Sequence, residues 1–143
     1  MTYPDPAVAR AVAGRFVPLR LHLSHPRVRD LNLLWLPTVY VLDHRGVVHG
    51  RSVNHLPPAD FLDILDLGEA HARLKQAGQA AVAAGLLREA LARRGDGPLH
   101  PELLFLLGIA DYFAGEHDHA GRDRVWADLV VRYPDSVWAH RVP

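Results

Sequence analysis

Apolar positions follow two different rhythms along this chain, and the change falls near residue 58. Asp5 followed by Pro6 is an N-cap and first-turn pair. Ala7, Val8, Ala11, Val12 and Phe16 then recur at helical spacing with Gly14 near the exit, which predicts a helix over residues 6–15. Residues 17–23 alternate instead: Val17, Leu19, Leu21 and Leu23 fall on one face and Pro18, Arg20 and His22 on the other, the period of a half-buried strand. Pro18 lacks a ladder donor, so its side of that strand is expected to face outward. After Ser24, His25 and Pro26, a short helical stretch over about 28–34 leads into Trp35, Leu36, Pro37 and Thr38. Val39, Tyr40, Val41 and Leu42 form a continuous apolar run, expected as a strand covered on both faces. Asp43, His44, Arg45 and Gly46 read as a turn, and residues 47–51 as the returning strand of a hairpin.

Beyond Pro57 and Pro58 the strand signals stop. Phe61, Leu62, Leu65 and Leu67 belong to a helix running to about Gln76, Gly78 breaks it, and residues 80–93 make the next amphipathic segment. Gly95, Asp96, Gly97 and Pro98 are the clearest linker. Further helices are expected over 101–114 and 120–132, with a final turn over 136–141. The pattern predicts an α+β chain, with a mixed part over residues 1–58 and an all-helical part over 59–143.

The helical part also repeats. Leu67 and Gly68 align with Leu107 and Gly108 at an offset of 40 residues, and each pair precedes a turn and a second helix. Leu107, Gly108, Gly115 and Ala120 fall on tetratricopeptide spacing, so the later copy resembles a tetratricopeptide unit; a two-residue insertion restores Trp126, Leu129 and Pro134. The resemblance implies a close helix pair in which small residues permit approach and Leu104 and Trp126 fill the groove. Leu107, Gly108, Ala120 and Trp126 are expected at one contact.

The mixed part resembles the thioredoxin-fold family from the middle of that fold onward. The residues that carry this are Asp5 to Val8, Arg15 to Leu21, Leu36-Pro37-Thr38 running into Val39 to Asp43, and Gly46 before Val47 and Val48. The resemblance implies a cis peptide bond at Leu36–Pro37 and a small mixed sheet. With the family's central strand missing, the sheet is expected either as three strands in the order 17–23, 39–42, 47–51, or as a homodimer joined through the open edge.

Chemistry narrows the reading. There is no cysteine among the 143 residues, so the chain as given has no thiolate for disulfide exchange. Sixteen basic residues balance sixteen acidic ones, which leaves no global field for nucleic acid or an anionic membrane. No apolar stretch is long enough to span a bilayer and the start carries no secretory pattern, so the expected compartment is the cytoplasm. His22 with His25, and His117 with His119, lack the partners of a metal site, and no phosphate or dinucleotide loop is present. Arg122, Arg124 and Arg132 are an alternative anion patch; a solvated helix face explains them as well. Asp111, Glu116, Asp118 and Asp123 lack the Gly and terminal Glu of a calcium loop. No catalytic, cofactor or metal residues are assigned.

The remaining candidates are the turn of Trp35, Leu36, Pro37 and Thr38, as a peptide-docking edge, and the packing set of Leu104, Leu107, Gly108, Ala120 and Trp126. The expected function is a redox-inactive, thioredoxin-like protein-interaction module with a protein partner. The alternative is the C-terminal portion of a thiol-disulfide oxidoreductase whose Cys-x-x-Cys lies upstream of Met1.

Overall fold

The structure, a computed structural model, describes residues 5–31 and 33–143. Helix α1 (Pro6–Arg15) begins where Asp5 accepts hydrogen bonds from the Ala7 and Val8 amides at 2.8 and 3.2 Å, the satisfaction of first-turn donors that makes Asp a favoured cap. A 3-10 turn follows (Pro26–Asp30), then strands β1 (Thr38–Leu42) and β2 (Val48–Val53). Four helices complete the chain: α2 (Pro58–Leu74), α3 (Ala80–Arg93), α4 (His100–Ala114) and α5 (His119–Arg132), with a last 3-10 turn at Ala139–Arg141. Among the described residues the architecture is mixed, a small antiparallel hairpin and five helices. Among the described residues no helix is long and apolar enough to cross a membrane.

β1 and β2 pair antiparallel, with Thr38 opposite Val53 and Tyr40 opposite Arg51, and a register shift between Val41 and Leu42. The Leu36–Pro37 peptide bond just before β1 is cis, as the resemblance in the sequence implied. α2 lies against one face of the hairpin. Gly68 is the reason it lies so close: a Cβ there would stand 2.7 Å from Val41 Cβ, nearer than real side-chain carbons come. Val41 packs with Val8 of α1 and with Phe61, Leu62 and Leu65 of α2.

The helical core is continuous and dense. Leu67 and Ala70 of α2, Ala83, Ala84, Leu87 and Ala90 of α3, and Leu103, Leu106, Leu107 and Ala110 of α4 form one buried cluster. Alanines on α3 against leucines on α4 let backbones approach while filling the space between them. A second cluster joins Leu104, Trp126, Leu129 and Ala139.

Three expectations need correction. Residues 17–23 do not enter the sheet; among the described residues it has two strands, not three. Alternation states which side chains want cover, but a strand also needs a partner backbone, and Pro18 supplies one donor fewer to any ladder. The run over 39–42 is not covered on both faces, since only Val41 is fully buried and Leu42 is 46% exposed. The helix expected over 28–34 is the shorter 3-10 turn at Pro26–Asp30; Asn32, inside that expected span, lies outside the described residues. The reading of the first four residues lies outside them too.

Candidate interaction surface

The turn entering β1 is built from an apolar run that finds no core. Leu34, Trp35 and Leu36 are 71%, 66% and 49% exposed, while Pro37 and Thr38 are half-buried. Thr38 fixes the turn, its hydroxyl donating to the Trp35 carbonyl. At the other end of the strand, Asp43 accepts hydrogen bonds from the Arg45 and Val47 amides at 2.9 and 3.0 Å, and its second oxygen lies 3.0 Å from His49 Nε2. The His49 hydrogen bond, followed by the backbone ones, holds the Asp43 carboxyl well below the usual range. The hairpin is thus pinned at its tip and leaves its entry turn bare.

The tetratricopeptide-spaced residues divide into two groups. Leu104, Gly108 and Trp126 meet: the Trp126 ring covers Gly108 so closely that a Cβ there would stand 2.3 Å from Nε1. Trp126 Nε1–H donates to the Phe105 carbonyl at 3.1 Å, and the Phe105 ring stacks on it with centroids 5.4 Å apart. Leu107 packs elsewhere, into the cluster with α2 and α3. Ala120 is exposed, and the small buried residue at the start of α5 is Gly121. A one-residue difference on a helix rotates a position by about 100°, which is enough to take it off a contact.

Several of the polar candidates have partners within the fold. Arg122 lies 4.9 Å from the Trp126 ring centroid and 5.6 Å from that of Tyr112, and pairs with Asp123 at 2.7 Å. Arg132 pairs with Asp128 and donates to the Gly95 carbonyl. Asp111 pairs with Arg88 at 2.6 Å. His117 and His119 stand edge-on to Tyr112 at 5.0 and 5.1 Å. Among the described residues no three His, Asp or Glu side chains converge as metal ligands would.

One charged constellation was not singled out from the sequence. Asp60, Asp63, Asp66 and Glu69 recur every third residue along α2, and arginines from three elements meet them. Arg15 of α1 pairs with Asp66 and Glu69 at 2.6 and 2.7 Å, Arg73 with Glu69 at 2.8 Å, and Arg94 with Asp60 and Asp63, both at 2.6 Å. Arg93 reaches Asp63 and Asp66. Burial pushes the Asp66 carboxyl up, only partly offset by Arg15 and Arg93. Burial acts the same way on Glu69, but hydrogen bonds from Arg15 and Arg73 outweigh it and hold that carboxyl low. The signal was in the sequence: acids at every third position among leucines that must be buried, with paired arginines at the end of the next helix. This ladder ties α1 and α3 to α2, beside the apolar seam of Val8 and Val41 with Phe61, Leu62 and Leu65.

No family model, no curated protein and no solved structure matches this chain.

Proposed function

We propose that this chain is a redox-inactive protein-interaction module of thioredoxin-like and tetratricopeptide-like construction. The observation that carries the reading is the bare turn: Leu34, Trp35 and Leu36 stand exposed next to a strand that the rest of the molecule holds in place. Burying a large apolar side chain on a partner is worth about 1.5–3 kcal/mol, so three in succession supply a real driving force. The helical part supports the reading as a platform. Its two helix pairs, α2 with α3 and α4 with α5, stack through the α3–α4 contact, and the ion ladder ties α1 to α2. With no cysteine the chain itself offers no thiolate, so the activity assigned to it is binding.

The test is direct. Extended apolar peptides are titrated into the chain while tryptophan fluorescence is followed, with Trp35→Phe identifying the Trp35 share of the signal. A blue shift that vanishes in Trp35→Phe, and binding weakened by Leu34→Ser or Leu36→Ser, are expected. Binding untouched by all three substitutions would reject the turn as the docking surface.

A further inference from the structure

Residues 17–23 have the alternation of a strand but join no sheet, and a turn begins at Leu23. Val17, Leu19 and Leu23 are 96%, 75% and 56% exposed and Leu21 is half-buried, so the alternation readable in the sequence has no core to serve. Among the described residues, no backbone N–H or C=O of residues 17–21 has a hydrogen-bond partner. Such groups, beside apolar side chains in alternate positions, are what an added strand pairs with.

The two edges of this arm are not equivalent. In an extended chain successive residues direct their N–H and C=O groups to opposite edges. Pro18 has no N–H, and the His22 carbonyl already accepts from the His25 amide at 2.9 Å, so the even-numbered edge is broken at both ends. The odd-numbered edge is open through Val17, Leu19 and Leu21, up to the turn that begins at Leu23. The arm can therefore accept one strand along one edge, and it cannot propagate a sheet from the other.

Charge selects the strand. Residues 10–29 carry five Arg and no carboxylate, and among the described residues Arg15 is the one of these with an ion pair. Arg20 and His22 lie on the polar face of the arm. A second copy of the same arm, laid antiparallel about its centre, would set Arg20 opposite Arg20, a like-charge pair that destabilises a ladder. A strand with apolar residues on one face and carboxylates on the other fits both faces at once.

We propose that residues 17–23 bind an extended acidic partner by strand addition along their odd-numbered edge. This rests on the reading of the chain as an interaction module and names the chemistry of a partner for a second element of it. The experiment is hydrogen exchange of the full chain with and without an acetylated heptapeptide alternating valine and glutamate. The same peptide with lysine in place of glutamate, and vesicles of phosphatidylserine, are run alongside. The Leu19 and Leu21 amides are expected to exchange at least about tenfold more slowly with the glutamate peptide alone. Leu19→Pro, which deletes an odd-edge donor in an exposed segment, should abolish that protection while leaving the helical circular dichroism unchanged. Arg20→Glu should transfer the preference to the lysine peptide. Equal protection by both peptides, protection by the vesicles, or protection that rises in the free chain with its own concentration would overturn the proposal. Peptide binding at Leu34 to Leu36 with no change at residues 17–23 would overturn it while leaving the interaction reading in place.

Discussion

The mixed part up to Pro57 and the helical part after it spend similar apolar content in opposite ways. Of the nineteen fully buried apolar residues among those described, only Val8 and Val41 come before Pro58, whereas nine of the fourteen exposed large apolar residues do. The contrast follows from where each kind of element finds its hydrogen bonds. A helix satisfies its backbone internally, so α2 to α5 need only bury their apolar stripes against one another, and short turns bring the next stripe to hand. A strand depends on another strand. With two strands paired, α2 covering one face of the hairpin and residues 17–23 outside the sheet, the remaining apolar side chains of the mixed part have no further layer to enter. What the helices close, the mixed part leaves open.

That contrast can be broken at its densest point first. Trp126→Ala removes a buried ring that covers Gly108 and stacks on Phe105, and should cost about 3–5 kcal/mol in urea unfolding. A loss below about 1 kcal/mol would mean the helical part is no better packed than the mixed one. Next is the seam between the two parts. Gly68→Ala places a methyl against Val41 and should cost about 1–3 kcal/mol, with the hairpin resonances shifting more than those of α4 and α5.

A third, smaller effect follows pH. Asp43 and Glu69 both have carboxyls held below their ordinary range, so their stabilising contribution is present above that range and is lost as pH falls through the folded values. Asp66 has the opposite sign: its raised carboxyl stabilises at low pH and that contribution is lost as pH rises. The account expects stability to decline on acidification below the ordinary carboxylate range, and Asp43→Asn to flatten that decline as read from unfolding midpoints across pH. The smallest expected effect sharpens the comparison. Val17→Ser and Leu19→Ser should change stability by no more than about 0.5 kcal/mol, since each side chain is already in water.

Much of the fold was legible in the sequence because helices announce themselves locally. Residues 6–15 and 80–93 come out as helices at the bounds that capping and period predict, and the hairpin and the helical second half follow from the same local signals; the cis bond at Leu36–Pro37 was expected from the resemblance alone. What was not legible depends on partners distant in the chain. The period of residues 17–23 is that of a strand, yet nothing local says that a neighbouring strand will be within reach. Ala120 sits one residue from the position that α5 buries, because spacing across a turn does not fix helical phase. The acid ladder of α2 was readable in its spacing, but its arginines come from α1 and from the ends of α2 and α3, and that convergence needs the tertiary structure.

The central claim is that the helices close their core while Val17, Leu19, Leu23 and Leu34 to Leu36 keep their apolar side chains in solvent. Hydrogen exchange of the free, dilute chain tests it most directly. The account predicts that the slowest amides lie in α3, α4 and α5, opening only with global unfolding, and that residues 17–23 exchange at rates close to those of an unfolded chain. Protection of residues 17–23 comparable to that of α4 would show that this segment already has its partner within the chain, and would contradict the account.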